Sequence, residues 1–342
     1  MSKKNKLVKN NKNNGNNNSN NYSNDYSNNN SNNNNNNSNN KNNSSNKINE
    51  KVGIIDVGGG MRGIYGAGIF DYLIDKNIEI PYCIGVSAGS ANVASYISKQ
   101  KGRNKPFYQD YSYEKKYMSF HNLLHKGSYI DLDYIYGTLS NEGGRNPWDF
   151  DKAMASSQEM VVVATDAQKG KPKYFTKKDY ERNDYGMLKA SSCIPIVCKA
   201  YKWKGGEYFD GALTDPIPYK KAIKDGCTRV IVVLTRPIDY RKQTTDARFY
   251  HRLKKSYPNM VEKMYARCDL YNTQLEDLLE NYVPTKKAFV IGPDDVFNVD
   301  TLKRTKENME KLYQKGYKDG EKIEEYLKQI QNWQWNAKLL DF

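Results

Sequence analysis

Histidine is almost absent from this chain: 342 residues contain three, His121, His125 and His251. A mechanism that depends on imidazole therefore has few candidates. Cysteine is scarce too. Cys83, Cys193, Cys198, Cys227 and Cys268 form no C-x-x-C pair, and several sit in apolar runs where a free thiol behaves as a small hydrophobe. That usage argues against a disulfide framework and fits a reducing cytosol. No run of about 18 apolar residues exists, so no transmembrane helix is expected. The N-terminus has lysines but lacks the apolar core of a secretory signal. Apolar residues make up 38%, a shortfall with a local source, since 26 of the first 50 residues are Asn. Apart from that tail the composition is that of an ordinary globular protein, which excludes collagen-like and wholly disordered classes.

The net charge of +14 divides unevenly. Residues 1–50 carry seven Lys against two acids, and the remaining excess is spread among interspersed carboxylates. A modest basic balance suits an anionic membrane surface or an acidic substrate. The 28 tyrosines are scattered with no nucleic-acid-binding pattern, so nucleic acid is not an expected partner.

Residues 1–48 are an Asn/Ser/Lys tail without periodicity and are expected to be disordered. Order should begin at the apolar run Val52–Val57, which reads as a buried strand, followed by Gly58–Gly60 and Gly63 and then apolar residues at helical spacing. Residues 82–86 read as a second strand and 88–98 as a second helix. This alternation predicts a parallel sheet covered by helices. Runs at 160–164, 229–234 and 288–291 extend the sheet, with helices near 148–156, 184–191 and 216–225. The Tyr-rich segment 103–147 reads as a cap or as loops facing a substrate. Residues 246–282 and 300–331 read as long amphipathic helices, the latter placing Leu302, Met309, Leu312, Tyr313 and Tyr326 on one face.

Three motifs carry chemistry. Gly58-Gly59-Gly60-Met61-Arg62-Gly63 leaves a strand and enters a helix, a turn that offers backbone N–H groups to an anion. A P-loop would need Lys-Ser or Lys-Thr after the last glycine, where Ile64-Tyr65 stand. A dinucleotide site needs an acid at the far end of the second strand, but Glu79 precedes that strand. An oxyanion hole remains. Gly85-Val86-Ser87-Ala88-Gly89 is a G-x-S-x-G pattern between strand and helix, the context of a nucleophile elbow. The flanking glycines remove Cβ atoms that would clash there, and the Ala88 N–H becomes an oxyanion donor. The bland alternative for Ser87 is a helix cap. Asp210, in Gly205–Ala212, would by itself mark a turn.

A serine needs a base. His121 and His125 have the spacing of a helical zinc pair but lack the Glu of H-E-x-x-H, so no metal is expected. His251 follows Asp210 in the order of a Ser–Asp–His triad, yet sits in the polar stretch Arg248–Lys255. Chain order accommodates both that triad and a direct Ser87–Asp210 pair.

Glycine-rich strand exit, serine elbow and Asp210-Gly211-Ala212, in that order, resemble the patatin-like phospholipases over roughly residues 52–235. Ala190-Ser-Ser-Cys-Ile-Pro195 looks like the family's A-S-x-x-x-P segment, and Arg267, Tyr271-Asn272 and Ile291-Gly-Pro293 look like a bacterial-type subgroup. Carried over, Ser87 matches the nucleophile and Asp210 the base of a dyad that needs no histidine. Gly58, Gly59, Gly60, Met61, Arg62 and Gly63 match the oxyanion segment, with Arg62 as its basic residue. The Asn-rich tail has no counterpart. The resemblance implies a three-layer α/β/α fold with a central, mainly parallel sheet, and makes 49–342 one catalytic domain with a helical C-terminal region. It implies acyl-ester hydrolysis of phospholipid or related lipid; beside it, the residue chemistry calls for no cofactor, and the cysteine usage and basic balance lead to the expectation of a cytoplasmic protein with peripheral membrane contact. The alternative is a non-hydrolytic membrane or protein interaction module on the same scaffold, which the intact Ser87 and Asp210 disfavour.

Overall fold

The computed structural model describes residues 50–243 and 250–330. The Asn-rich tail, the first residues of the helix expected from 246, and residue 331 of the last expected helix lie outside them. Strands are β1 (Val52–Asp56), β2 (Tyr82–Val86), β3 (Glu159–Asp166), β4 (Lys171–Thr176), β5 (Tyr201–Trp203), β6 (Gly206–Asp210), β7 (Arg229–Val233) and β8 (Ala288–Ile291). Helices are α1 (Ile64–Asp75), α2 (Ala88–Ile97), α3 (Lys105–Gln109), α4 (Phe120–Lys126), α5 (Phe150–Ala155), α6 (Gly186–Ser191), α7 (Tyr219–Lys224), α8 (His251–Lys254), α9 (Pro258–Asp277) and α10 (Lys306–Gln329).

β1 and β2 are buried at every residue, as strands covered on both faces must be. β8, β7, β1, β2 and β3 run parallel in that order. Side-chain alternation splits the interior into two layers. Ile54, Cys83, Val162 and Ile231 face α1, α2 and α10, while Ile55, Ile84, Val163 and Val232 face α7 and α9. The mixed eight-stranded sheet between helical layers is the three-layer α/β/α architecture.

Antiparallel strands supply what the apolar runs did not show. β4 pairs with β3 from Val161 to Asp166, occupying one edge of that strand. The other edge is shared end to end, with Val86 of β2 opposite Val163 and Asp210 of β6 opposite Ala164. Consecutive residues of β3 thus bring the ends of β2 and β6 together.

Two helices differ from the sequence reading. The expected 246–282 helix is broken, because Pro258 stands at the first turn of α9, where its missing N–H does no harm but ends whatever precedes it. The last helix begins at 306 rather than 300, since the Thr305 side chain accepts from the Asn308 N–H at 3.2 Å and caps it. Leu302 therefore lies in a loop, not on the helix face with Met309, Leu312, Tyr313 and Tyr326. No helix among the described residues is long and apolar enough to cross a membrane.

Candidate active site

β2 ends at Val86 and α2 begins at Ala88, so Ser87 alone makes the turn. It takes φ 55° and ψ −131°, a conformation that costs an L-residue roughly 1–3 kcal/mol and persists where neighbours enforce it. The Ser87 N–H donates to Ser191 Oγ at 2.8 Å, and Ser191 donates to the Val163 carbonyl at 2.6 Å. The Ser90 hydroxyl donates to the Ser87 carbonyl at 2.6 Å. A side chain on Gly85 would strike the Ser90 backbone, and one on Gly89 the Asp56 carbonyl. The Ala190–Pro195 segment thus has a physical task, since its Ser191 pins the elbow.

Asp210 closes β6. Its N–H donates to the Cys193 carbonyl at 2.8 Å, its carbonyl accepts from Thr165 Oγ1 at 2.8 Å, and its Oδ1 accepts from the Ala212 N–H at 2.9 Å. Gly211-Ala212 therefore fixes the carboxylate through a backbone donor. Ser87 and Asp210 are each 5% exposed. Burial raises the Asp210 pKa above the ordinary carboxylate value, while hydrogen bonding from Ser87, the Ala212 N–H and the charges of Lys242 and Arg267 act against that rise.

The glycine-rich exit lies over the N-terminus of α2. Gly58 has φ +65°, and a Cβ there would collide with the Val86 carbonyl. Two amides of this segment are already committed: Gly58 N–H to Asp56 Oδ1 at 2.9 Å and Met61 N–H to the Thr301 carbonyl at 3.1 Å. The N–H groups of Gly58 and Met61 therefore support the loop. Among the described residues the N–H groups of Gly59 and Gly60 have no hydrogen-bond partner, and Ala88 adds a first-turn N–H from α2. The Arg62 guanidinium pairs with Asp300.

Asp56 escaped the motif reading, although a carboxylate in the apolar run Val52–Val57 was a signal. It is fully buried, and desolvation pushes its pKa up to about 6 against the hydrogen bonds from Asn92 and Gly58. Asn92 Nδ2 donates to Asp56 at 2.9 Å and to the Gly63 carbonyl at 2.8 Å, and Asn92 Oδ1 accepts from the Tyr108 hydroxyl at 3.2 Å. This network ties the glycine-rich loop to α2.

Two cavities meet at Ser87. One, narrow and about 70 Å³, is walled by Tyr108, Tyr117, Ile130, Ile135 and Tyr136 of the Tyr-rich segment and by Leu302. The other, about 350 Å³, includes Asp210, Arg62, Arg236, Lys242 and Arg267. His251 is exposed and lines neither. His121 and His125 stack on each other at 4.0 Å on exposed α4. Among the described residues no cluster of three His, Cys, Asp or Glu could hold a metal.

The fold and site together define a three-layer α/β protein with a serine poised on a strand-to-helix elbow beside a buried carboxylate. Residues 57–223 match the model of the patatin-like phospholipases. Residues 257–332 match a domain of unknown function, DUF6363. An uncharacterized protein of Escherichia coli, YjjU, is 26% identical over 192 residues, 55% of this chain and 52% of its own length. The chain thus spans about half of that curated relative. The crystal structure of VipD from Legionella pneumophila is similar with a TM-score of 0.42 and 14% identity, covering 80% of this chain and 66% of that one.

Proposed function

We propose that the chain is a serine lipid acyl hydrolase of the phospholipase A or lysophospholipase type, working through Ser87 and Asp210. The observation that carries this reading is the end-to-end meeting of β2 and β6 on one edge of β3, which sets the elbow serine beside a buried carboxylate. Ser87 Oγ attacks the ester carbonyl carbon while Asp210 takes its proton. The negative oxygen of the tetrahedral intermediate is met by the N–H groups of Gly59, Gly60 and Ala88. As the intermediate collapses, the C–O bond to the alcohol breaks and Asp210 returns the proton to the leaving oxygen. Water, giving its proton to Asp210, then adds to the acyl carbonyl, and as the bond to Ser87 Oγ breaks Asp210 passes that proton to the serine, releasing the acid. An ordinary Asp, at about 3.9, is a weak base for this step. Burial raises Asp210 toward a better match, and the fixed amides carry much of the remaining stabilisation.

The apolar cavity receives the acyl chain. Peripheral membrane contact fits α4, where Phe120 is 74% and Leu124 82% exposed, with Ile196 nearby in the chain fold at 49%. Lys115, Lys116 and Lys126 supply positive charge on or beside that helix.

Fluorophosphonate labelling with a short-chain ester assay tests the chemistry. Ser87→Ala should lose label and turnover, Asp210→Asn should lose turnover, and His251→Ala should keep most of it. Collapse of the His251 variant, or full turnover by the Ser87 variant, would overturn the dyad.

A further inference from the structure

The cations of the cavity beside Ser87 have no role in the chemistry just described. Arg62, Arg236 and Lys242 line it, beside Arg267, together with two carboxylates among the described residues. One of these, Asp210, faces Ser87. The other, Asp300, is shared between Arg62 and Arg236, the latter at 3.1 Å. Arg62 is 8% exposed, and its Nε has no hydrogen-bond partner among the described residues. Lys242 Nζ lies over the face of Tyr271 at 4.0 Å and pairs with no carboxylate among those residues. Desolvation, and then repulsion by Arg267, push its pKa down to about 8. Cations crowded in a partly desolvated space are costly unless an anion joins them.

The aromatic groups narrow the choice of anion. A choline headgroup would need an open ring face or a spare carboxylate. Here Lys242 covers Tyr271, Arg236 covers Tyr240 at 4.4 Å, and Asp300 is already shared by two guanidinium groups.

We propose that this cavity is the headgroup subsite, seating the phosphate of a lipid ester among Arg62, Arg236 and Lys242 and selecting net-anionic headgroups over zwitterionic or uncharged ones. The proposal rests on Ser87 acting as the acyl-transfer nucleophile. Arg236 and Lys242 lie beyond residue 223, so the segment that matches the phospholipase family supplies only Arg62 to this seat.

The test compares 1-acylglycerol 3-phosphate, 1-acylglycerophosphocholine and 1-acylglycerol of one chain length, supplied as monomers to the full chain. The phosphomonoester should exceed both others in kcat/KM by about tenfold or more, the scale of one charge-assisted hydrogen bond. Lys242→Gln and Arg236→Gln should each erase most of that ratio, and Lys242→Arg should keep it. Equal kcat/KM for the three lipids, or a preference that survives both Gln variants, would overturn the proposal. If the Gln variants do not fold, inhibition of the wild type decides. Glycerol 3-phosphate should compete with the anionic lipid and do so more strongly than inorganic phosphate. Equal inhibition by the two, or inhibition that is not competitive, would assign the cavity to free phosphate instead. Failure of the underlying reading shows separately, as a wild type that takes no fluorophosphonate label and cleaves none of the three lipids.

Discussion

Asp56 illustrates how one side chain holds a site without entering its chemistry. Its two oxygens orient Gly58 and Asn92, and its burial sets a measurable signature. The folded value of about 6 lies above the ordinary 3.8, so the native state keeps a proton that the unfolded chain has released. The stabilisation from this group is therefore fully present below the unfolded pKa and is lost as pH rises through about 6. At 1.36 kcal/mol per pKa unit the loss from this group is roughly 3 kcal/mol. Asp71 and Asp215 are also raised by burial and add slopes of the same sign. Urea denaturation from pH 4 to pH 7 should therefore show a shallower fall for Asp56→Asn than for the wild type. Parallel curves would mean that Asp56 titrates normally.

At the scale of an element, α4 has a physical oddity. Ser119 caps its start, accepting from the Asn122 N–H at 3.1 Å, and Gly127 ends it with φ 68°. The helix is thus well bounded, yet it turns Phe120 and Leu124 outward rather than into the core. Burying each of those side chains in a bilayer interface is worth up to about 1.5–3 kcal/mol. Phe120→Ser with Leu124→Ser should weaken sedimentation with anionic vesicles by about tenfold or more. Hydrolysis of a water-soluble ester should persist in the double variant. Unchanged vesicle binding would remove α4 from the membrane contact.

At the scale of the whole molecule, the two regions that match separate family models are one packed body. α10 crosses α1 so closely that a Cβ on Gly316 would collide with the Tyr65 carbonyl, and the Tyr65 hydroxyl donates to Asp319 at 2.9 Å. The same C-terminal region supplies Arg267, Tyr271 and Thr301 to the basic cavity. Gly316→Ala gains helix propensity, about 1 kcal/mol, but forces two backbones apart, and overpacking of that kind costs about 1–3 kcal/mol or more. The variant should melt several degrees lower than the wild type, whereas Lys318→Ala on the exposed face should melt with it. Equal melting of the two variants would mean that α10 shifts freely on α1.

The strand-to-helix passages at 52–75 and 82–97 were legible from the chain alone, because unbroken apolar runs, glycine and helical spacing are local properties that act in the same direction. Ser87 and the glycine-rich exit were legible for that reason, and Asp210 through the order of its motifs. Tertiary structure decided the rest. β4, β5 and β6 carry Lys, Tyr and Gly in place of an unbroken apolar run, so they owe their form to pairing with β3 and with each other rather than to their own pattern. That pairing, not any neighbour in sequence, puts Asp210 at Ser87. Leu302 left the face of α10 because Thr305 capped the helix first, and it became a wall of the apolar cavity. Arg236 and Lys242 look like ordinary surface charges when read singly, and nothing in the chain order joins them to Arg62 or Arg267. Their meeting depends on the parallel pairing of β1 with β7 and the packing of α9 against that sheet, since charges far apart along a chain acquire a common field only when the fold closes the distance and removes the water between them.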